Sequence, residues 1–298
     1  MASGGSPWES APTSPLPAGP YLGDTGQPSA GHGPAEPAWD DWPGPGGVPP
    51  RRGRTKRRHR WLKRAVAVVL GLVLLGILGF GALLLVTPSV GDAQSRAVAL
   101  DRPHHAAYPG PPVPARFAAS LISTEDHRFY SEPGIDVYAI ARLIAGRLAG
   151  RPDQGGATLY QQLAKMLYTQ GHSGITVEVE EVTLGIKLYM AYSRPQVLRM
   201  YVDVAYFGHN YYGLAQASCG YFGVPPARLN WPQAAMLAGL VQAPSADDPI
   251  AHFAVARARQ AHVLERLVAT GKLSQADANS AYRQPLTLVG GPPRTCAP

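Results

Sequence analysis

Cys219 and Cys296 are the only cysteines in 298 residues, which excludes a disulfide-dense scaffold. Cys219 lies in an Ala-Ser-Cys-Gly-Tyr run and reads as a small buried side chain, while Cys296 sits in a Pro-rich end. Two unpaired thiols are expected, with pairing left open for a domain outside a membrane. No grouping of His and Cys has zinc spacing, and His104-His105 reads as part of a linker. Lys and Arg are absent from residues 1–50, which hold five acids (Glu9, Asp24, Glu36, Asp40, Asp41) amid dense Pro, Gly, Ser and Ala. Without apolar periodicity such a segment cannot bury a core, and it reads as a disordered tail.

Charge is missing again from Ala65 to Val86, where no charged or strongly polar side chain occurs. At ~1.5 Å rise per residue this run is long enough to cross a ~30 Å hydrocarbon layer. Its position far from the start, and the Thr87-Pro88 that closes it, do not fit a cleavable signal peptide. Nine bases precede it between Arg51 and Arg64, and Asp92 and Asp101 follow. That asymmetry predicts a single-pass cell-membrane protein with a cytoplasmic N-terminus and everything after Val86 outside. The basic cluster is satisfied by anionic lipid, so nucleic acid is not an expected partner. With nine of the 27 bases spent there, 18 remain against the 20 − 5 = 15 acids beyond the tail, so the outer part is only mildly basic.

The predicted organisation is a tail (1–50), a basic juxtamembrane segment (51–64), a transmembrane helix (65–86), a linker (87–111), one mainly α domain (112–285) and a Pro/Gly-rich tail (286–298). No internal repeat is visible. Within the domain, Val113, Phe117 and Leu121 recur every four residues, with Ala118 and Ile122 beside them, and Glu125 continues the stripe. A carboxylate on an apolar stripe is partly desolvated, which raises its pKa toward the range of a general base. The alternative is a solvated helix end with Arg128 as partner.

Glu125-Asp126-His127-Arg128-Phe129 and Gly134-Ile135-Asp136 are followed after 17 residues by Gln154-Gly155-Gly156-Ala157-Thr158-Leu159-Tyr160-Gln161-Gln162-Leu163-Ala164-Lys165. This pair resembles the first two motifs of the peptidoglycan glycosyltransferases, the monofunctional enzymes and class A penicillin-binding protein domains that polymerise lipid II. Tyr192-Ser193, Tyr206-Phe207-Gly208, Tyr212-Gly213, Tyr221-Phe222-Gly223 and the run from Ala238 to Ser245 continue it, so that it covers roughly 112–269. In the second motif two glycines permit a tight turn. Leu159, Leu163, Met166 and Leu167 then form an inward stripe, and Thr158, Gln161, Gln162 and Lys165 a second face free to bind. A solvated face would look the same.

The resemblance implies a lysozyme-like, mainly α domain with a small membrane-proximal lobe, and inverting glycosyl transfer from a glycan on undecaprenyl pyrophosphate to the 4-hydroxyl of lipid II. Glu125 matches the general base, and Glu181 the acid of the third motif. Asp126, Arg128, Phe129, Gln154, Gly155, Gly156, Thr158, Gln161, Gln162 and Lys165 are the implied substrate-binding residues, with Lys165 at the pyrophosphate. No cofactor is obligatory; a divalent ion (Mg or Mn) is an option at the pyrophosphate. Lipid II, the membrane and a transpeptidase or other cell-wall synthase are the implied partners.

The third motif departs from the family, which carries Arg-Lys-x-x-Glu there. Counting back from Tyr192-Ser193 places Val177 and Glu178 at the basic pair and Glu181 at the acid. At ~5 Å and an effective dielectric of ~20 each unit pair is worth about 3 kcal/mol, so Glu178 opposes a pyrophosphate unless another cation compensates. Arg128 is the expected substitute. Glu178 and Glu180 also suit the first turn of a helix. Glu132 for His, Ala157 for Ser, Tyr160 for Thr and Met166 for Asn are smaller departures. An amphipathic helix is expected over 254–269, in which Arg259 resembles a family arginine, and another after the Ser274-to-Asp277 capping pattern. No transpeptidase domain is expected to follow. Two readings result: an active glycosyltransferase, and a catalytically weak homologue that binds lipid II or a partner synthase as a scaffold.

Overall fold

A computed structural model describes residues 54–136, 146, 149–150, 157–170 and 172–296. The expected tail over 1–50, and Gln154, Gly155 and Gly156, lie outside the described residues. The chain divides into two compact units, Met1–Trp61 and Leu62–Pro298; of the first, only helical residues from Arg54 onward are described.

Helix α1 (Arg54–Val86) begins within the basic segment rather than at Ala65, because Arg and Lys are good helix formers and continue the turn backward. Its stretch Arg60–Val86 is long and apolar enough to cross a membrane. Val68, Leu72, Leu75 and Leu78 are all exposed, so this helix buries no face as a core helix would.

Residues 87–111 are not a linker. Helix α2 (Ala93–Asp101) lies there and buries Ala93 and Ala97 in the core, with Val90 just before it. Its inward face is built of alanines, too weakly apolar to stand out as a stripe. His104, in the 3-10 turn that follows, stacks on Tyr212 at 3.4 Å between ring centres. The domain also grips the exit of α1: the Lys187 ammonium donates to the carbonyls of Thr87 (2.7 Å) and Pro88 (2.9 Å), and the Tyr192 hydroxyl to that of Val90.

The domain is helical, with no strand among the described residues beyond an isolated bridge between Tyr206 and Tyr212. Helix α3 (Ala115–Glu125) follows Pro114 and buries the predicted Phe117, Leu121 and Ile122. Helix α4 (Leu159–Ala164) opens on Thr158, whose hydroxyl accepts from the Gln161 amide while the Gln161 side chain accepts from the Thr158 amide. It widens into a π turn, Lys165–Thr169. Then come α5 (Ile175–Ala191), α6 (Arg194–Val204), α7 (Gly213–Phe222), α8 (Trp231–Leu240), α9 (Phe253–Ala269) and α10 (Gln275–Arg283). The last two agree with expectation, and Ser274 caps α10 by accepting from the Asp277 amide.

Helix α8 is apolar all round, with every residue from Ala234 to Leu240 buried, and it takes the centre with α3, α7, α9 and α10 against it. Helices α5 and α6 flank α4. These two groups bring the end of α3 and the start of α4 together.

Gly134 makes one of these contacts possible. Its φ is +76°, and a Cβ there would stand 2.7 Å from the Cβ of Tyr189 and 2.9 Å from the Gly185 carbonyl oxygen of α5. Gly271 has a similar φ of +68° with nothing within 4 Å of such a Cβ. Gly134→Ala is therefore expected to cost about 1–3 kcal/mol more than Gly271→Ala, since both lose the left-handed backbone but only the first overpacks. Chemical denaturation of the two variants measures that difference.

The two cysteines are paired, contrary to the expected free thiols: Cys219 of α7 forms a disulfide with Cys296. The tail turns back over α7, with the Val289 amide donating to the Tyr221 carbonyl (2.8 Å) and the Tyr211 hydroxyl to that of Gly291. This return path brings the thiols together.

Candidate active site

Glu125 ends α3, and its side chain is 12% exposed at the floor of a cleft of about 690 Å3. That volume suits a medium-sized ligand. Burial pushes its carboxyl above the usual carboxylate range, whereas a hydrogen bond from Gln162 and the charge of Arg259 draw it back. Gln162 is held at both ends: its Oε1 accepts from the Tyr201 hydroxyl (2.7 Å), which leaves Nε2 to donate to Glu125 Oε2 and to the Ala157 carbonyl (both 3.2 Å). Glu125 is thus oriented by an amide that cannot turn over without setting its oxygen against two acceptors, the Glu125 carboxylate and the Ala157 carbonyl. Arg259 stands 3.7 Å from Glu125 Oε1 and donates through Nε to the Gly239 carbonyl (3.2 Å).

Gln161, Gln162 and Lys165 of the second motif line the same cleft, as does Glu181 from α5. Lys165 is exposed and forms no ion pair among the described residues. Glu181 is steered by the Thr169 hydroxyl, which donates to it at 2.6 Å. The candidate base, two amides, an ammonium and a second acid therefore converge from α3, α4 and α5.

Other predicted residues take different places. Asp126 is buried behind the floor, where its Oδ2 accepts from the Leu159 amide at 2.9 Å and joins the end of α3 to the start of α4. Phe129 is fully buried against Tyr160, at 5.2 Å between ring centres. Thr158 is buried, with its hydroxyl on the Gly134 carbonyl. These three do not line the cleft: a motif match specifies residue types, whereas the helix ends turn these side chains inward. Met166, expected on the inward stripe, lines the cleft instead, where the helix widens.

Arg128 does not replace the missing basic pair, because its guanidinium is paired with Asp136. Glu178 is exposed in the first turn of α5, as helix-dipole pairing predicts. The second cleft cation is Arg259 of α9, with His262 one turn on also lining the cleft. Their i, i+3 spacing on an amphipathic helix was a readable sign that they share a face. Tyr201 carried no such signal.

Among the described residues no three His, Cys, Asp or Glu side chains group as a metal centre. One carboxylate plus ligand phosphates is a common Mg2+ donor set, and Glu181 is a carboxylate in this cleft that could serve in one.

A family model described as Transglycosylase matches residues 95–268. A Cupriavidus necator protein named provisionally as a transglycosylase is 33% identical over 176 residues, 59% of this chain and 76% of that one. Penicillin-binding protein 1A of Mycobacterium tuberculosis is 35% identical over 169 residues and that of Neisseria flavescens 34% over 168, but this chain spans only 21% of each. The crystal structure of penicillin-binding protein 1A from Haemophilus influenzae aligns with a TM-score of 0.31 at 21% identity, over 44% of this chain and 16% of that one, a likeness too slight to bear on fold or function.

Proposed function

The chain belongs to the transglycosylase family, and we propose that it polymerises lipid II at the outer face of the cytoplasmic membrane. The observation that carries this reading is Glu125, half-buried in the cleft and oriented by Gln162 and Arg259. The acceptor's 4-hydroxyl oxygen attacks the anomeric carbon of the donor glycan from the face opposite its pyrophosphate. The new C–O bond forms as the bond to pyrophosphate breaks, with inversion. Glu125 takes the hydroxyl proton, and undecaprenyl pyrophosphate leaves with the bonding electrons. Lys165 and Arg259 supply positive charge where the leaving group gains negative charge.

The helix over 60–86 would hold the domain at the surface where both lipid-linked substrates reside, with the N-terminus cytoplasmic. A Cys219–Cys296 disulfide suits an oxidising compartment outside the cytoplasm. A bound Mg or Mn ion would add Lewis-acid charge at the diphosphate, held by Glu181. A transpeptidase or other synthase would cross-link the strands.

A second reading, a scaffold that binds lipid II with little turnover, is favoured by Val177 and Glu178 in place of a basic pair. The two readings part on Val177→Arg with Glu178→Lys. An enzyme already compensated by Arg259 gains less than about threefold in turnover; a crippled one gains more than about tenfold, because ~1.4 kcal/mol is tenfold and each restored pair is worth up to about 3 kcal/mol.

The test is polymerisation of purified lipid II by the detergent-solubilised chain, with and without Mg2+, beside Glu125→Gln. Glycan ladders that vanish in the variant support the enzyme; lipid II binding without ladders under either condition supports the scaffold.

A further inference from the structure

Glu132 lies in the turn after Phe129 and is 6% exposed. Both its carboxyl oxygens are out of solvent and meet no N–H or O–H donor elsewhere in the described chain. Among the described residues no Lys or Arg is within ion-pairing distance of it: Arg128 pairs with Asp136, and Arg194 of α6 donates to the backbone carbonyls of Phe129 (3.2 Å) and Glu132 (3.3 Å). The group that acts on this carboxyl from the same turn is Asp126, through its charge and through a hydrogen bond between the two side chains. Two carboxylates in such contact repel, and two neutral acids would weaken what Asp126 accepts from Leu159. One shared proton, carried by Glu132, satisfies both.

We propose that Glu132 is a positioning residue which, as a neutral acid, donates a hydrogen bond to Asp126 and so holds the start of α4 against the end of α3, setting Gln162 on Glu125. Asp126 is the hinge point: it follows Glu125 in the chain, and the amide it binds, that of Leu159, begins the helix that carries Gln162 and Lys165. The groups facing the pair are His127 and Arg128 from the same turn, Arg194 from α6, and Tyr160 from α4, whose buried hydroxyl has no partner and whose ring meets Tyr189 of α5 edge-on. Burial and the charge of Asp126 push the Glu132 carboxyl up to about 8, against the opposing pull of the two arginines.

The sign of the pH effect follows. An exposed Glu in the unfolded chain releases its proton near pH 4.5, whereas the folded chain keeps this one to about pH 8. Between those values the folded state binds the extra proton, so this contribution to stability shrinks as pH rises through the window and stays constant above it.

The bearing on turnover rests on the proposed polymerase reading, but the proton itself does not. With the full detergent-solubilised chain, infrared difference spectra at pH 7 are expected to show a protonated carboxyl band that disappears in Glu132→Gln. The melting temperature of the unaltered protein is expected to fall relative to Glu132→Gln by several degrees between pH 5 and pH 8. Absence of the band together with equal slopes would overturn the proposal, whatever the activity.

In the polymerisation assay Glu132→Gln, which still donates to Asp126, keeps turnover and loses the alkaline decline near pH 8. Glu132→Leu, which cannot donate, lowers kcat with little change in KM. If Glu132→Leu does not fold, Glu132→Gln still decides: an alkaline decline unchanged in that variant would overturn the positioning role. Should no protein polymerise lipid II, the polymerase reading fails and the spectra and melting curves still judge the acid pair.

Discussion

Glu125→Gln is expected to lower lipid II polymerisation by about 10^2- to 10^4-fold, the range lost when a general base is removed. The substitution is nearly isosteric and leaves the floor intact. Gln162 Nε2 can still donate to the new amide oxygen, and Tyr201 still holds Gln162 Oε1. Arg259 loses an ion partner at 3.7 Å but keeps its bond to the Gly239 carbonyl. What vanishes is the basicity of the carboxylate, since an amide oxygen accepts a hydrogen bond but does not take the acceptor proton near neutral pH. Binding of lipid II and the melting temperature are therefore expected to change little while kcat collapses. Titration of lipid II binding beside a ladder assay separates the two quantities. Turnover within threefold of the unaltered protein would remove Glu125 from the role of base and shift attention to Glu181, the other acid of the cleft.

Cys296→Ser, or reduction of the unaltered protein, is expected to lower the melting temperature by about 8–16 °C. The bridge closes a separation of 77 residues, and the chain-entropy model assigns such a loop about 4 kcal/mol. For a domain of roughly 200 residues each kcal/mol moves the midpoint by about 2–4 °C. The enthalpic side agrees in direction, because without the bridge the strap across α7 keeps only a few backbone bonds, among them that from Val289 to Tyr221. Melting curves with and without reductant test this, with Cys296→Ser expected to be insensitive to reductant. Equal midpoints for oxidised and reduced protein would mean that the unfolded chain loses little freedom through the bridge. The cleft lies on other helices, so turnover of the reduced protein at low temperature is expected to be retained.

Several elements could be read directly from the chain because their cause is local. The α3 stripe of Phe117 and Leu121 ending in Glu125 follows from helical period alone, as does the cap at Ser274. The span over 65–86 needs only length and apolarity. Helix α2 was harder, because alanines bury well yet give almost no periodic contrast, and so a folded segment passed for a linker.

The site divides along the same line. Glu125, Gln161, Gln162, Lys165 and Glu181 were legible as residue types at motif spacing, and they share the cleft. Their companions Asp126, Phe129 and Thr158 matched the same motif but turn inward, since helix ends redirect side chains in ways that spacing does not encode.

Residue order and composition were enough for the apolar helix, the mainly helical domain and the motif that carries the acid, because each depends on neighbours within a turn or two. Long-range closure settled the rest: Arg259 rather than Arg128 beside Glu125, the Tyr201 hydroxyl on Gln162, and Cys296 returning to Cys219. Such contacts depend on how whole helices pack around α8, and no local pattern of residues records that packing.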